Sequence, residues 1–123
     1  MSVKEILVEF VRKSVGEVER AILATPDGVL IAASNPSDVD DVVAALSAAV
    51  VAGVSDAFTQ YLEKEVKNVV IQLGDGTYAV MSGLGGLVFC ALTKPKPNLG
   101  LVYHLLGKYS EKLAAQPTLD SEL

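Results

Sequence analysis

The fold is decided by residues 21–32, AILATPDGVLIA, in which two apolar runs flank the sequence Thr25-Pro26-Asp27-Gly28. Proline at the second position and glycine at the fourth are typical of a tight turn. Short apolar runs on either side of such a turn are typical of paired strands. The stretch therefore predicts a β-hairpin with strands at 18–24 and 29–33.

A long helix is predicted after this hairpin, from about Val39 to Leu62. Spacing its residues at 100° separates two unlike faces. The bulky face comprises Val43, Leu46, Val50, Val51, Val54, Phe58 and Tyr61. The small face comprises Ala44, Ala45, Ala48, Ala49, Ala52, Ser55 and Asp56. We expect the bulky face to pack on a sheet and the small face to contact another helix, because a solvated face would carry Lys and Glu.

Three further strands are predicted at 66–73, 77–82 and 87–93. Gly74-Asp75-Gly76 joins the first two and is a strong hairpin signal. The last strand is apolar on both of its faces, which is typical of a strand in the middle of a sheet that is covered on both sides.

A helix is predicted at each end of the chain. Ser2 and Glu5 form a capping box that starts the first helix, which we expect to end near Val15 and Gly16. Asn98 starts the last helix after a proline-containing linker. The predicted order is α-β-β-α-β-β-β-α, in one domain over residues 1–114 with a loose tail over 115–123.

Composition narrows the class of protein. The chain has 123 residues and a formal net charge of −5, which disfavours nucleic acids and anionic membranes as partners. The longest uncharged apolar stretch, Val42 to Val54, is shorter than the roughly 20 residues of a membrane span. One cysteine permits no internal disulfide, and no signal peptide is evident. We expect a cytoplasmic protein that does not insert into membranes.

Three stretches resemble the Roadblock/dynein-light-chain family: residues 21–32, residues 69–76 (VVIQLGDG) and residues 98–102 (NLGLV). The resemblance extends over about residues 3 to 113. It implies an α/β fold of the α+β, profilin-like kind. In that fold a five-stranded antiparallel sheet carries the middle helix on one face and both terminal helices on the other.

The resemblance also implies a dimer in which the third strands pair at the sheet edge and the middle helices lie side by side. Members of the family serve as GTPase-activating partners or scaffolds for Ras-like GTPases, or as dynein light chains.

No catalytic constellation is evident in the sequence. His104 is expected on the solvent side of the last helix, and Cys90 is expected to be a buried thiol. No Gly-Lys-Ser/Thr follows Gly83-Leu84-Gly85-Gly86, so a phosphate cradle is disfavoured. Asp38, Asp40 and Asp41 favour a helix start, with Ser37 and Asp40 capping it, over a metal site. We expect no enzyme activity, cofactor or metal.

Function is therefore expected to reside in a protein interface. Its candidate residues are Ala44, Ala45, Ala48, Ala49, Ala52, Ser55, Asp56, Val66, Asn68, Val70 and Gln72. The partners expected are a second copy or a paralogue, and a Ras-like small GTPase. The first hypothesis is a homodimeric regulatory module for that GTPase. The alternative is a structural adaptor of a larger assembly that leaves GTP hydrolysis unchanged.

Overall fold

The computed structural model describes residues 1–116, and the predicted tail beyond Gln116 lies outside the described residues. The element order is the predicted one. The helices and strands are α1 (Val3–Lys13), β1 (Val18–Ala24), β2 (Leu30–Ala33), α2 (Asp40–Leu62), β3 (Asn68–Gln72), β4 (Tyr78–Leu84), β5 (Leu87–Thr93) and α3 (Leu99–Ala114).

The five strands form one antiparallel sheet in the order β2-β1-β5-β4-β3. The doubly apolar strand β5 is central, as predicted, and six of its seven residues are buried. The β1–β2 turn also forms as predicted, because the Gly28 N–H donates to the Thr25 carbonyl at 3.0 Å. This arrangement leaves β3 and β2 at the two edges.

Helices α1 and α3 pack together on one face of the sheet. Their core is centred on Phe10, whose ring centroid lies 5.1 Å from that of Phe89 and 5.6 Å from that of Tyr109. The N-terminal capping box of α1 is present, since Ser2 Oγ accepts from the Glu5 N–H at 3.1 Å. Asn98 caps α3 by accepting from the Leu101 N–H at 3.2 Å.

Several predicted boundaries were wrong by one or two residues. Helix α1 ends at Lys13 because Ser14 turns the chain: its Oγ donates to the Val11 carbonyl and accepts from the Val18 N–H. Val15 then adopts a left-handed conformation with φ of 52°. Strand β3 is shorter than predicted at both ends, so Val66 lies outside it.

The opposite face of the sheet is covered by α2, and here the predicted orientation was wrong in part: Val43, Val50 and Val51 of the bulky face pack against the core, but the small Ala44 and Ala48 lie closest to the sheet. Ala44, Ser47 and Ala48 face the sheet and are buried, whereas the bulky Leu46 is 62% exposed. The helix also approaches the β1–β2 turn closely, since a Cβ at Gly28 would lie 3.1 Å from the Cα of Ala45. Ala44, Ser47 and Ala48 occupy the centre of the contact between α2 and the sheet, and Val43, Val50 and Val51 pack at its margins.

The C-terminal part of α2 extends beyond the sheet. Its 23 residues span about 35 Å, whereas a seven-residue strand spans about 23 Å. Phe58, Tyr61 and Leu62 are consequently exposed. Helix α2 is also the one helix in residues 1–116 that length and composition would allow to cross a membrane, a test that core helices of soluble proteins pass as well.

Candidate partner interface

Within residues 1–116 the outer edge of β3 is unpaired, since β4 is its one neighbour in the sheet. An unpaired edge presents a row of N–H and C=O groups to another strand. Val70 pairs with Val80, which belongs to the core under α1 and α3, so Val70 points to that face. Asn68, Val70 and Gln72 are exposed there, whereas Val69 and Ile71 are half-buried on the α2 face. The predicted interface residues Asn68, Val70 and Gln72 of β3 are therefore accessible to a partner strand.

An apolar groove of about 330 Å³ separates α2 from the β3 side of the sheet. We call it the α2–β3 groove. Val43, Leu46 and Val50 form its helix wall, and Ile71, Leu73 and Ala79 are among the sheet residues that line it. It exists because α2 lies over β1, β2 and β5 and leaves the outer part of the sheet uncovered. Sequence reasoning missed it, although the alternation of Val69 and Ile71 was a signal for a second apolar layer above β3.

Some residues of the predicted small face are buried against the sheet, and others are accessible. Ala44 and Ala48 are 0% and 3% exposed against the sheet, so they are not available to a second helix and their assignment to the interface was wrong. Ser55 is half-buried beside them, and Val66 is half-buried next to the start of β3. Four of the predicted residues remain accessible on α2, namely Ala45, Ala49, Ala52 and Asp56.

The accessible surface of α2 is apolar nearly all round. Its only charged residues are Asp40, Asp41 and Asp56, and it contains no Lys or Arg. Val42 and Leu46 are 58% and 62% exposed, and Ala49 and Gly53 continue the exposed face. A solvated helix face normally carries many charges, so this surface has the composition of a contact surface.

The N-terminus of α2 is fixed by a polar cluster. Asp40 Oδ1 accepts from Arg20 Nη1 at 2.9 Å, and its Oδ2 accepts from the Ser37 N–H at 2.7 Å. Arg20 also donates to the Asn35 carbonyl. The predicted acidic helix start is thus resolved into two roles: Asp40 is buried in this cluster, whereas Asp38 and Asp41 are exposed.

The candidate reactive residues do not converge. His104 is exposed on α3, and burial raises the pKa of the Cys90 thiol to about 11. Gly85 and Gly86 form the β4–β5 turn with positive φ, so no helix N-terminus follows them. Within residues 1–116, no group of three or more His, Cys, Asp or Glu side chains is placed to hold a metal ion.

Comparison with known protein families identifies the family of this chain. The family model for the Roadblock/LC7 domain matches residues 3–93. The chain belongs to the Roadblock/LC7 family. No curated protein sequence matches it at a significant level.

Solved structures of low sequence identity share the fold of this Roadblock/LC7 domain. A Roadblock/LC7 domain from Streptomyces avermitilis superposes with a TM-score of 0.83 at 19% identity, covering 92% of this chain and 95% of that one. Myxococcus xanthus MglB gives 0.81 at 20% identity, covering 98% and 89%. Profilin IA from Acanthamoeba castellanii gives 0.65 at 14% identity, covering 94% and 98%. The expected α+β, profilin-like Roadblock fold is confirmed.

Proposed function

We propose that this Roadblock/LC7 domain is a dimeric, non-enzymatic module that binds a Ras-like small GTPase and alters its nucleotide cycle or its location. The observation that carries the proposal is the outermost face of α2, which combines the exposed Val42 with the small residues Ala49 and Gly53. Its length and near lack of charge suit a protein partner better than water. Membership of the family supports a GTPase as that partner.

The dimer in this proposal uses the β3 edge and the α2–β3 groove rather than the row Ala44, Ala48 and Ala52. Pairing of two β3 edges would extend the sheet and satisfy the free backbone groups of Asn68–Gln72. The bulky flank of α2 lies on the same side of the domain as that edge. A second copy could therefore cover both surfaces at once, which leaves the outermost residues of α2 for the GTPase.

The test uses purified Ras-like GTPases from the organism of this chain, and any that is encoded next to its gene is tested first. Binding is measured by calorimetry, and single-turnover GTP hydrolysis is measured with and without the domain. We expect micromolar or tighter binding that Ala49→Glu weakens at least tenfold. Val8→Glu is the matched control, because Val8 is an exposed apolar residue of α1 on the opposite face.

Three outcomes separate the hypotheses. A changed hydrolysis rate supports regulation of the nucleotide cycle. Binding without a changed rate favours recruitment or the structural-adaptor alternative. Absence of binding to the GTPase in either nucleotide state contradicts the proposed partnership.

A further inference from the structure

The two ends of α2 have complementary surfaces that do not meet within one protomer. Near its N-terminal half lies the α2–β3 groove, lined by Val43, Leu46 and Val50. At its C-terminal end, Phe58, Tyr61 and Leu62 are 46%, 76% and 56% exposed beyond the sheet. One end therefore offers an apolar depression without an aromatic residue, and the other offers aromatic side chains without a depression.

Helical phase places Tyr61 on the flank that forms the groove wall. Tyr61 follows Val43 by 18 residues, which is about five turns at 3.6 residues per turn. Val43, Val50 and Tyr61 thus lie along one side of α2. That side faces the β3 edge, because Val43 and Val50 line the groove together with Ile71 of β3.

The connection after α2 keeps its C-terminal end close to the β3 strand. Residues 63–67 are all that join Leu62 to Asn68, and the six steps between these two Cα atoms span at most about 22 Å. The aromatic end of α2 therefore lies near the beginning of β3, whereas the groove lies near the end of β3, at Ile71 and Leu73.

We propose that two copies of this chain fill each other's grooves, with Tyr61 of each protomer, supported by Phe58, seated in the α2–β3 groove of the other. The proposal rests on the dimer of the proposed function. A two-fold axis at paired β3 edges reverses the strand direction, so the beginning of one β3 lies beside the end of the other. The aromatic end of one α2 is thereby brought to the partner's groove.

The chemistry of the groove favours a second copy as its occupant. Its lining is almost wholly apolar, with the hydroxyl of Ser47 as the exception among side chains. A two-fold contact is self-complementary, so each protomer supplies one plug and receives one. The same contact removes the exposed side chains of Tyr61 and Phe58 from water in each protomer.

The experiment is disulfide trapping in the full chain. Tyr61→Cys and Leu73→Cys are combined in a Cys90→Ala background, and circular dichroism and sedimentation check folding and association before oxidation. We expect covalent dimers from the double variant and at least tenfold less from either single variant, because copies of one residue lie at opposite ends of a two-fold contact. Val42→Cys with Leu73→Cys is the control, since Val42 lies on the outer face of α2.

A second measurement tests the same contact without the cysteine variants, whose folding or association could be altered by the substitutions. Tyr61→Asp should raise the dimer dissociation constant at least tenfold, whereas Tyr61→Phe and Val42→Asp should change it less than threefold. If the wild-type protein is a dimer but is neither trapped by the cysteine pair nor weakened by Tyr61→Asp, the proposed contact of Tyr61 with the partner's groove is wrong. The proposed dimer would then still stand. A wild-type protein that stays monomeric throughout the micromolar range would contradict both the Tyr61 contact and the proposed dimer. Binding of the GTPase is tested separately by calorimetry.

Discussion

Arg20 in β1 and Asp40 at the start of α2 form an ion pair with a 2.9 Å separation between Nη1 and Oδ1. The side chain of Asp40 is 4% exposed and that of Arg20 is 19% exposed. Because the other contacts of α2 with the sheet core are largely apolar and so not directional, this ion pair fixes where the helix begins. The placement of the candidate interface depends on it.

Replacing Asp40 with Asn should destabilise the domain by about 1–3 kcal/mol, since a buried charged hydrogen-bond partner of Arg20 is lost. The Asn side chain would also lose one acceptor toward either Arg20 or the Ser37 N–H. Urea denaturation followed by circular dichroism measures the change. Asp56→Asn, at an exposed position of the same helix, should stay within about 0.5 kcal/mol. Equal stabilities of the two variants would show that the ion pair contributes nothing.

Ala48→Glu and Ala49→Glu should behave differently although the residues are adjacent. Ala48 is 3% exposed against the sheet, so a carboxylate there is buried without a partner and should destabilise the fold by several kcal/mol. Ala49 is exposed, and Glu is a good helix former, so its stability should change by less than about 0.5 kcal/mol. Urea denaturation of both variants checks this. A stable, folded Ala48→Glu protein would show that α2 presents its alanine row outward.

Local sequence signals predicted most of the fold. The capping box at Ser2, the β1–β2 turn at Gly28 and the doubly apolar β5 each depend on neighbours within a few residues, or on the alternation of one strand. Such features can be predicted from the sequence because the interacting residues are close together along the chain. The family resemblance then supplied the arrangement of the layers.

The orientation of α2 could not be predicted in the same way. Periodicity gives the angle between residues of a helix, but α2 is apolar nearly all round, so no charged face indicates which side is outward. The choice is made by distant residues: Gly28 approaches Ala45, and Arg20 holds Asp40. The α2–β3 groove follows from that choice, and it was therefore missed as well.

Val15→Asn should stabilise the domain by about 1 kcal/mol. Val15 has a φ of 52° and is 83% exposed, so a β-branched residue occupies a left-handed conformation without a packing gain. Asn tolerates this conformation better. Thermal denaturation provides the comparison, with Val8→Asn as the control, because Val8 lies within helix α1 and should show no such gain. An unchanged or lower stability for Val15→Asn would mean that the valine side chain has a contact role.

Stability should fall with acidification because of Glu17. The ion pair with Lys94, at 2.8 Å, and the hydrogen bond from the Asn98 N–H lower the pKa of Glu17 below its usual 4.5. Since the folded-state pKa is the lower one, this contribution is complete above about pH 4.5 and is lost as pH falls through the folded value. Glu17→Gln should flatten that part of the pH–stability curve, and Lys94→Met should do so in part. Urea midpoints between pH 3 and 7 measure it, and identical curves would exclude a role for Glu17.

Cys90 should report on the α2–β3 groove through its reactivity. It lines the groove but is 1% exposed, and burial raises its pKa to about 11. Because the thiolate is the reactive form, labelling of the native protein by an aromatic disulfide should be at least about 100-fold slower than labelling in urea. If reagent reaches the folded thiol, the native rate should rise about tenfold per pH unit between pH 7 and 9, since both values lie below the raised pKa.

If labelling instead requires unfolding, the rate should level off above about pH 8.5, the ordinary pKa of a cysteine thiol. Thr59→Cys in a Cys90→Ala background is the control, because Thr59 is exposed on α2 and should react at each pH about as fast in the native protein as in urea. Rapid native labelling of Cys90 at pH 7 would contradict its burial beneath α2. Slower labelling at higher protein concentration would indicate that a second copy covers the groove, because association then closes the route to the thiol.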